Sequence, residues 1–282
     1  MSTPTALPPA TAAAPGGIRR ARELLRRGLR RLLPGLFPAP PDFDEVSRLA
    51  AIQRSDLQYY MDIQPGARWH SPEFVARFGG FHPPGETRRL HELHAGDRVR
   101  ANLLLLLLRE ITVRKVPGCL AELGVHRGES ARLIHHYCPE RTFYLFDTFA
   151  GFSDQDLAAE SVSLGFNQAQ QFTDTNLDLV RNTIAPLAET LVPVVGWFPA
   201  SVTPAVAAAR FAFVHLDADL EAPIAAGLDF FWPRLNAGGY LVVHDYNAWP
   251  GARLAVDRFR TAHPVAAVPM PDKSGSIVLV RT

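Results

Sequence analysis

The stretch that decides the fold is Leu120-Ala121-Glu122-Leu123-Gly124-Val125-His126-Arg127-Gly128, followed by Phe146-Asp147-Thr148-Phe149. An apolar strand turns through glycines into a helix, and a second apolar strand ends in a carboxylate about twenty residues further on. This order of parts is typical of folds that hold a nucleoside, because glycines let the backbone approach the ligand and a carboxylate can bind ribose hydroxyls. A nucleoside cofactor is therefore the leading hypothesis.

The composition of the whole chain narrows the class of protein. With 282 residues and 47% hydrophobic content, the chain can bury a large core. A net charge of +1 provides no bulk field for nucleic acid, so no nucleic-acid partner is expected. The only cysteines, Cys119 and Cys138, exclude a disulfide framework and fit a reducing, cytoplasmic location. The apolar run at 103–108 is far shorter than the ~20 residues of a membrane span, so no transmembrane helix is expected.

The N-terminal part of the chain predicts an extension rather than a second core. Residues 1–17 are rich in Pro, Ala, Thr and Gly and predict a disordered tail. Residues 18–36 predict a basic amphipathic helix, within a helical and loop extension over 18–85. Docking of this helix on its own domain is the favoured interpretation, and peripheral contact with an anionic membrane surface is the alternative.

From residue 86 to residue 282, the pattern predicts one α/β domain. A long helix over 86–114 leads into the alternating part, and a helix over 251–262 precedes the final strands. Apolar runs predict strands at 119–123, 142–146, 191–195, 211–216, 240–243, 265–268 and 276–280. Helical spacing predicts further helices at 129–137, 175–187, 202–209 and 223–235. This alternation predicts a mostly parallel sheet with helices on both faces and an antiparallel C-terminal hairpin.

The glycine turn predicts one half of a binding site. Gly124 and Gly128 allow a close approach of backbone and ligand, and the helix that follows directs its first amides toward the ligand. The turn lacks the Gly-x-Gly-x-x-Gly pattern of dinucleotide folds, which disfavours a nicotinamide cofactor. Asp147 is expected to accept both ribose hydroxyls, with capping of the following turn as the alternative. Glu122 is costly to bury without a partner and is expected to face the ligand or a bound water.

Polar residues that follow the fourth and fifth predicted strands form the other half. Asp217 and Asp219 follow one strand, and His244 and Asp245 follow the next. Groups beyond the carboxyl ends of neighbouring parallel strands converge on a ligand crevice. Carboxylates suit Mg²⁺, whereas His244 as a direct ligand would favour Mn²⁺ or another transition metal. Without a metal, His244 is the natural general base, and a capping role is the remaining alternative. His215 is expected to be a core histidine.

With these residues assembled, the chain resembles the TylF/MycF (macrocin O-methyltransferase) family of class I S-adenosylmethionine-dependent methyltransferases. The resemblance implies a Rossmann-like seven-stranded methyltransferase sheet, mostly parallel, with helices on both faces. The matching stretches, in family order, are 116–118, 121–128, 146–152, 172–175, 196–199, 216–220, 238–240 and 244–246.

The resemblance also implies where cofactor and chemistry lie. S-adenosylmethionine would be bound by Glu122, Gly124, Val125, Gly128, Asp147, Thr148, Gly196 and Trp197. A methyl group would pass to a hydroxyl of a sugar, a glycosylated natural product or a polysaccharide. The implied metal residues for Mg²⁺ or Mn²⁺ are Asp217, Asp219 and Asp245, and the implied catalytic residues are Asp217, His244 and Asp245. Metal-dependent members carry an Asp-Asp pair where this chain has His244-Asp245, so metal assistance and base assistance both stay open, with Asp217 or His244 taking the proton.

Two other functions remain as alternatives to an O-methyltransferase acting on a small glycoside. One is a methyltransferase-like binding or scaffold protein that is recruited by the basic helix at 18–36. The other is a nicotinamide-dependent oxidoreductase, which shares the sheet class. Assembly into a homo-oligomer is compatible with each of the three.

Overall fold

The computed structural model describes residues 97–165, 169–184 and 189–282. The predicted tail at 1–17, the extension at 18–85 with its basic helix, and the start of the predicted long helix lie outside these residues. Among the residues that are described, no helix is both long enough and apolar enough to cross a membrane.

A seven-stranded sheet forms the centre of the described domain. The strands are β1 (Cys119–Leu123), β2 (Phe143–Asp147), β3 (Leu191–Val195), β4 (Phe211–Leu216), β5 (Leu235–Val243), β6 (Ala266–Pro269) and β7 (Ile277–Val280). Their spatial order is β3-β2-β1-β4-β5-β7-β6. The first five strands are parallel, while β7 runs antiparallel to both β5 and β6. The predicted mostly parallel sheet with an antiparallel C-terminal hairpin is therefore confirmed.

Helices pack on both faces of this sheet. They are α1 (Arg98–Val113), α2 (Glu129–Tyr137), α3 (Asp154–Leu164), α4 (Leu177–Ile184), α5 (Pro204–Ala207), α6 (Glu221–Phe231) and α7 (Pro250–Ala262). Because successive strand residues point to opposite faces, the core divides into two hydrophobic clusters. Leu120 of β1 packs in a cluster with α1 and α2, and its neighbour Ala121 packs in a cluster with α6 and α7. Burial on both faces explains why these strands are continuous apolar runs.

Two local predictions were wrong at their boundaries. The helix predicted over 223–235 ends at Phe231 and is followed by a 3₁₀ turn at Trp232–Arg234, because Pro233 has no N–H for the helix. Strand β5 then starts at Leu235, and its pairing with β4 shifts register before it becomes regular from Tyr240 onward. Within the irregular part, Gly238 has a left-handed conformation with φ +82. Gly238 and Gly239 therefore lie within an irregular strand.

Helix α3 lies in a stretch for which the sequence pattern predicted no helix. The hydroxyl of Ser153 accepts the amide of Asp156 at 3.0 Å, which caps the helix, and Gly165 ends it at φ +74. Both signals are present in the sequence. The weak apolar periodicity of the helix hid them, because only Asp156 and Glu160 are buried on it.

Candidate active site

The glycine turn brings the carboxyl ends of β1 and β4 into close contact. Gly124 has φ +85, and a Cβ atom at this position would lie 2.2 Å from the carbonyl oxygen of Asp217. The amide of Asp217 donates to the carbonyl of Leu123 at 2.8 Å, which holds the two strand ends together. Only glycine fits both the left-handed conformation and the space. Gly128 at φ +81 then forms the N-cap of α2.

Asp147 holds the glycine turn through backbone amides. Its Oδ2 accepts the amides of Val125 at 2.6 Å and of His126 at 2.9 Å, and its Oδ1 accepts the amide of Phe149 at 2.7 Å. Asp147 therefore caps the turn that follows it, as the alternative interpretation predicted, through Oδ1. Through Oδ2 it also binds the glycine turn. The predicted contact with ribose hydroxyls stays a prediction. Asp147 fixes the turn that a nucleoside would contact.

One cavity joins the two predicted halves of the site. Ten of the predicted site residues line it, namely Gly124, Val125, Asp147, Thr148, Gly196, Trp197, Asp217, Asp219, His244 and Asp245. Trp197 is fixed at its rim by a hydrogen bond from its indole nitrogen to Asp156 Oδ1 at 3.1 Å. Glu122 and Gly128 are not among the lining residues. The cavity can therefore bring a nucleoside and a second reactant together.

Glu122 lies behind the cavity rather than in its wall. It is fully buried on β1, and its Oε1 lies 2.7 Å from Nδ1 of the equally buried His215 on β4. Burial raises the pKa of Glu122 above its usual range, although the bond from His215 opposes this effect. His215 is thus the core histidine that the sequence predicted. Its contact with Glu122 links β1 to β4 inside the core.

Three acidic side chains and a histidine meet at the ends of β4 and β5. Nδ1 of His244 lies 2.8 Å from Asp217 Oδ1 and 2.8 Å from Asp245 Oδ2. Asp219 is hydrogen-bonded to Asp245. Asp219 and Asp245 adopt left-handed conformations, with φ +58 and +56, which cost energy for residues other than glycine and tend to occur at functional sites.

Arg100, a cation that the sequence did not mark as a site residue, also contacts this cluster. Arg100 of α1 donates from Nη1 to Asp217 Oδ2 at 3.2 Å, and it also lines the cavity. The two residues are 117 positions apart. Arg100 lies next to the leucine run, and nothing in that local pattern marks it as part of a site.

These contacts fix the charges of the cluster. Burial alone would lower the pKa of His244, but the charge of Asp217 and bonds to Asp217 and Asp245 outweigh it and raise the pKa to about 10. Burial would likewise raise the pKa of Asp217, yet His244 and Arg100 hold it well below its usual range. For Asp219, burial and the neighbouring charge of Asp217 both raise the pKa well above the usual range. In this geometry Nδ1 of His244 donates its proton to the two carboxylates and has no lone pair to offer as a base.

The raised pKa of His244 has a consequence for stability. The pKa is about 10 in the fold against an ordinary 6.5, so protonation favours the folded state. This contribution is fully present below the ordinary value and is lost as the pH rises through the folded value. The melting temperature should therefore fall between pH 7 and pH 10 more steeply for the wild-type protein than for His244→Asn. Differential scanning fluorimetry over this range measures both slopes, and equal slopes would contradict the expectation.

Asp217, His244 and Asp245 lie close enough together to be considered as ligands of a divalent ion. One ligand atom each from Asp217, His244 and Asp245 lie within 4.8 Å of one another, which is a suitable spacing. A histidine ligand must present a lone pair, whereas Nδ1 here faces two acceptors and carries the proton between them. The second oxygen of Asp217 is bonded to Arg100. In this arrangement Asp217, His244 and Asp245 do not fit a divalent ion.

The fold and the cavity define the class I methyltransferase architecture, in which ligands bind beyond the carboxyl ends of the parallel strands. The model of the macrocin-O-methyltransferase (TylF) family matches residues 93–276. The chain belongs to this family, as its motifs indicated.

Two curated relatives and one solved structure are similar to this chain. The chain is 27% identical over 169 residues to demethyldecarbamoylnovobiocin O-methyltransferase of Streptomyces niveus, covering 56% of this chain and 64% of that protein. It is 29% identical over 163 residues to mycinamicin III 3''-O-methyltransferase of Micromonospora griseorubida, covering 54% and 63%. The match thus spans less than two thirds of either relative. The structure of the O-methyltransferase NovP has the same fold, with a TM-score of 0.56 at 22% identity, covering 84% of this chain and 99% of that chain.

Proposed function

We propose that the protein is an S-adenosylmethionine-dependent O-methyltransferase acting on a hydroxyl of a sugar or of a glycosylated small molecule. The observation that carries this proposal is the single cavity that joins the glycine turn to the cluster at Asp217, His244 and Asp245. The two curated relatives are named as O-methyltransferases of demethyldecarbamoylnovobiocin and of mycinamicin III, which supports the acceptor class. The proposed location is the reducing cytoplasm, supported by the free thiols of Cys119 and Cys138.

The cofactor half of the proposed site lies between β1, β2 and β3. Gly124 lets the turn lie directly against the backbone of Asp217, and Asp147 positions the turn by two amide bonds, from Val125 and His126. Gly196 follows β3 at φ +126, and the indole of Trp197 stands at the rim, where an aromatic face suits a planar base. Within this half, Asp147 is the best-supported determinant of cofactor affinity.

The acceptor half supplies orientation and a proton acceptor. Bound S-adenosylmethionine supplies a methyl group on a sulfonium, so that the C–O bond to the acceptor forms as the C–S bond breaks. Asp217 lines the cavity with a charged carboxylate held by Arg100 and His244, and we assign it the acceptor's hydroxyl proton. A low pKa does not disqualify it, since the oxygen becomes strongly acidic as it is methylated and even a weak base suffices. His244 orients this carboxylate, and most of the rate comes from positioning.

Calorimetry with S-adenosylmethionine and with NAD tests the cofactor assignment. We expect micromolar binding of S-adenosylmethionine, none of NAD, and at least tenfold weaker S-adenosylmethionine binding for Asp147→Asn, because each lost charge-assisted bond to the turn costs about 1.5–3 kcal/mol. Asp178→Asn, an exposed carboxylate on α4, is the matched control. Binding of NAD alone would support an oxidoreductase and overturn the proposal.

A glycoside screen then tests the reaction. The products would be identified by a mass increase of one methyl group and by its position on the sugar. A protein that binds S-adenosylmethionine but methylates none of a broad panel of glycosides would favour the binding or scaffold function.

A further inference from the structure

His244 lies between two groups of carboxylates, all of which are buried except the half-buried Asp217. On one side, Nδ1 is 2.8 Å from both Asp217 and Asp245. On the other side, Nε2 is 3.8 Å from Oδ2 of Asp272, in the turn between β6 and β7. A carboxylate accepts hydrogen bonds and is drawn to positive charge, so each ring nitrogen faces a group that favours a proton on it. The ring therefore sits where a cation is stabilised from both sides.

The carboxylates on the Nε2 side are already engaged with the backbone. Asp272 accepts the amide of Ser276 at 2.6 Å and its hydroxyl at 2.7 Å. Asp97, which caps α1, accepts the amides of Val99 and Arg100 and, from its other oxygen, the amide of Lys273 at 2.9 Å. These bonds fix the turn and the start of α1. These bonds also occupy oxygens of both carboxylates on this side of His244.

The carboxylates on the Nδ1 side are engaged with side chains. Asp217 bonds His244 through one oxygen and Arg100 through the other, and Asp245 bonds His244 and Asp219. A magnesium ion requires oxygens about 2.1 Å away in octahedral geometry, with its own hydration shell partly removed. To enter here, such an ion would have to displace the proton of Nδ1 and compete with Arg100 for Asp217. His244 and Arg100 thus already place positive charge beside the carboxylates of Asp217 and Asp245.

We propose that the imidazolium of His244, assisted by Arg100, takes the place of a divalent cation between Asp217 and Asp245, so that this site binds no metal ion. The catalytic meaning of this substitution rests on the proposed methyl transfer, whereas the statement about metal binding does not. It follows that His244→Asp should create a divalent-ion site. The change removes the competing cation, supplies a third carboxylate, and leaves Asp217 and Asp245 in place.

The test is a Mn²⁺ titration followed by electron paramagnetic resonance, in which bound Mn²⁺ loses its sharp six-line signal. Wild type, His244→Asp and His263→Asp are compared after each has been shown to bind S-adenosylmethionine. His263 is exposed at the end of α7, so its replacement makes the same change of residue type away from the cavity. We expect His244→Asp to bind Mn²⁺ at least about tenfold more tightly than the other two proteins, a difference of about 1.4 kcal/mol.

Two outcomes would overturn the proposal. One is wild-type protein that binds Mn²⁺ as tightly as His244→Asp, and the other is a folded His244→Asp that binds no more Mn²⁺ than His263→Asp. Should His244→Asp lose S-adenosylmethionine binding, His244→Asn replaces it, because the neutral amide removes the cation and offers an oxygen. Failure of the wild type to bind S-adenosylmethionine would instead count against the proposed function, and the Mn²⁺ comparison, with folding then checked by circular dichroism, would still decide the metal question.

Discussion

Replacing Asp217 with Asn is expected to lower methyl transfer by about 10²- to 10⁴-fold, the range associated with loss of a positioned proton acceptor. The amide keeps the size of the side chain but cannot take the acceptor's proton. It also leaves Arg100 and the protonated His244 facing a neutral group in a buried site. S-adenosylmethionine affinity should stay within a few-fold, since the glycine turn and Asp147 are untouched. Single-turnover rates with a glycoside from the screen, together with calorimetry, measure the two quantities separately.

The exposed carboxylate Asp178 again provides the matched control. Asp178→Asn makes the same chemical change at a side chain that is 88% exposed on α4, so its transfer rate should equal that of the wild type. A thermal melt of Asp217→Asn tests whether the cluster survives. A stable Asp217→Asn protein with an undiminished transfer rate would contradict the assignment of Asp217 as proton acceptor.

The central strands were predictable because their residues are buried on both faces. Runs such as 119–123 and 211–216 contain few polar residues, and the structure places strands at these same bounds. The glycine turn was predictable for a related reason, since only glycine adopts φ +85 against the backbone of the neighbouring strand. Burial on both faces requires a continuous apolar run, and a positive φ beside a neighbouring strand requires glycine. These two signals predict the sheet and the crevice at its carboxyl edge.

The charges of the site could not be derived in the same way. The contact between Arg100 and Asp217 joins α1 to the end of β4, and no local periodicity encodes a pairing across the sheet. From the sequence, His244 was expected to act as a general base in the absence of a metal, because the ordinary pKa of histidine is near neutral. The structure places its ring between carboxylates contributed by β4, β5 and the β6–β7 turn, and this reverses its role. Charge states depend on such tertiary neighbours, so they become predictable only once the fold is known.

Replacing Gly124 with Ala is expected to have the largest effect on the fold and on cofactor binding together. The added methyl group would lie 2.2 Å from the carbonyl oxygen of Asp217 and 3.0 Å from the amide of Ala218. Both are backbone atoms, which cannot rotate away, so β1 and β4 must separate where the two halves of the site meet. We expect a loss of at least about 3 kcal/mol in the free energy of unfolding, typical of a steric conflict at a special backbone position. S-adenosylmethionine binding should become undetectable by calorimetry.

Gly165 separates the steric conflict from backbone strain. It also has a positive φ, +74, but a Cβ atom there would meet no atom of the described residues within 4 Å. Gly165→Ala should therefore cost only the conformational penalty, about 1 kcal/mol, and should keep S-adenosylmethionine binding. Urea denaturation of both variants and of the wild type measures the difference. If both variants lost the same stability and both kept S-adenosylmethionine binding, the close approach of β1 to β4 would not be what demands glycine at position 124.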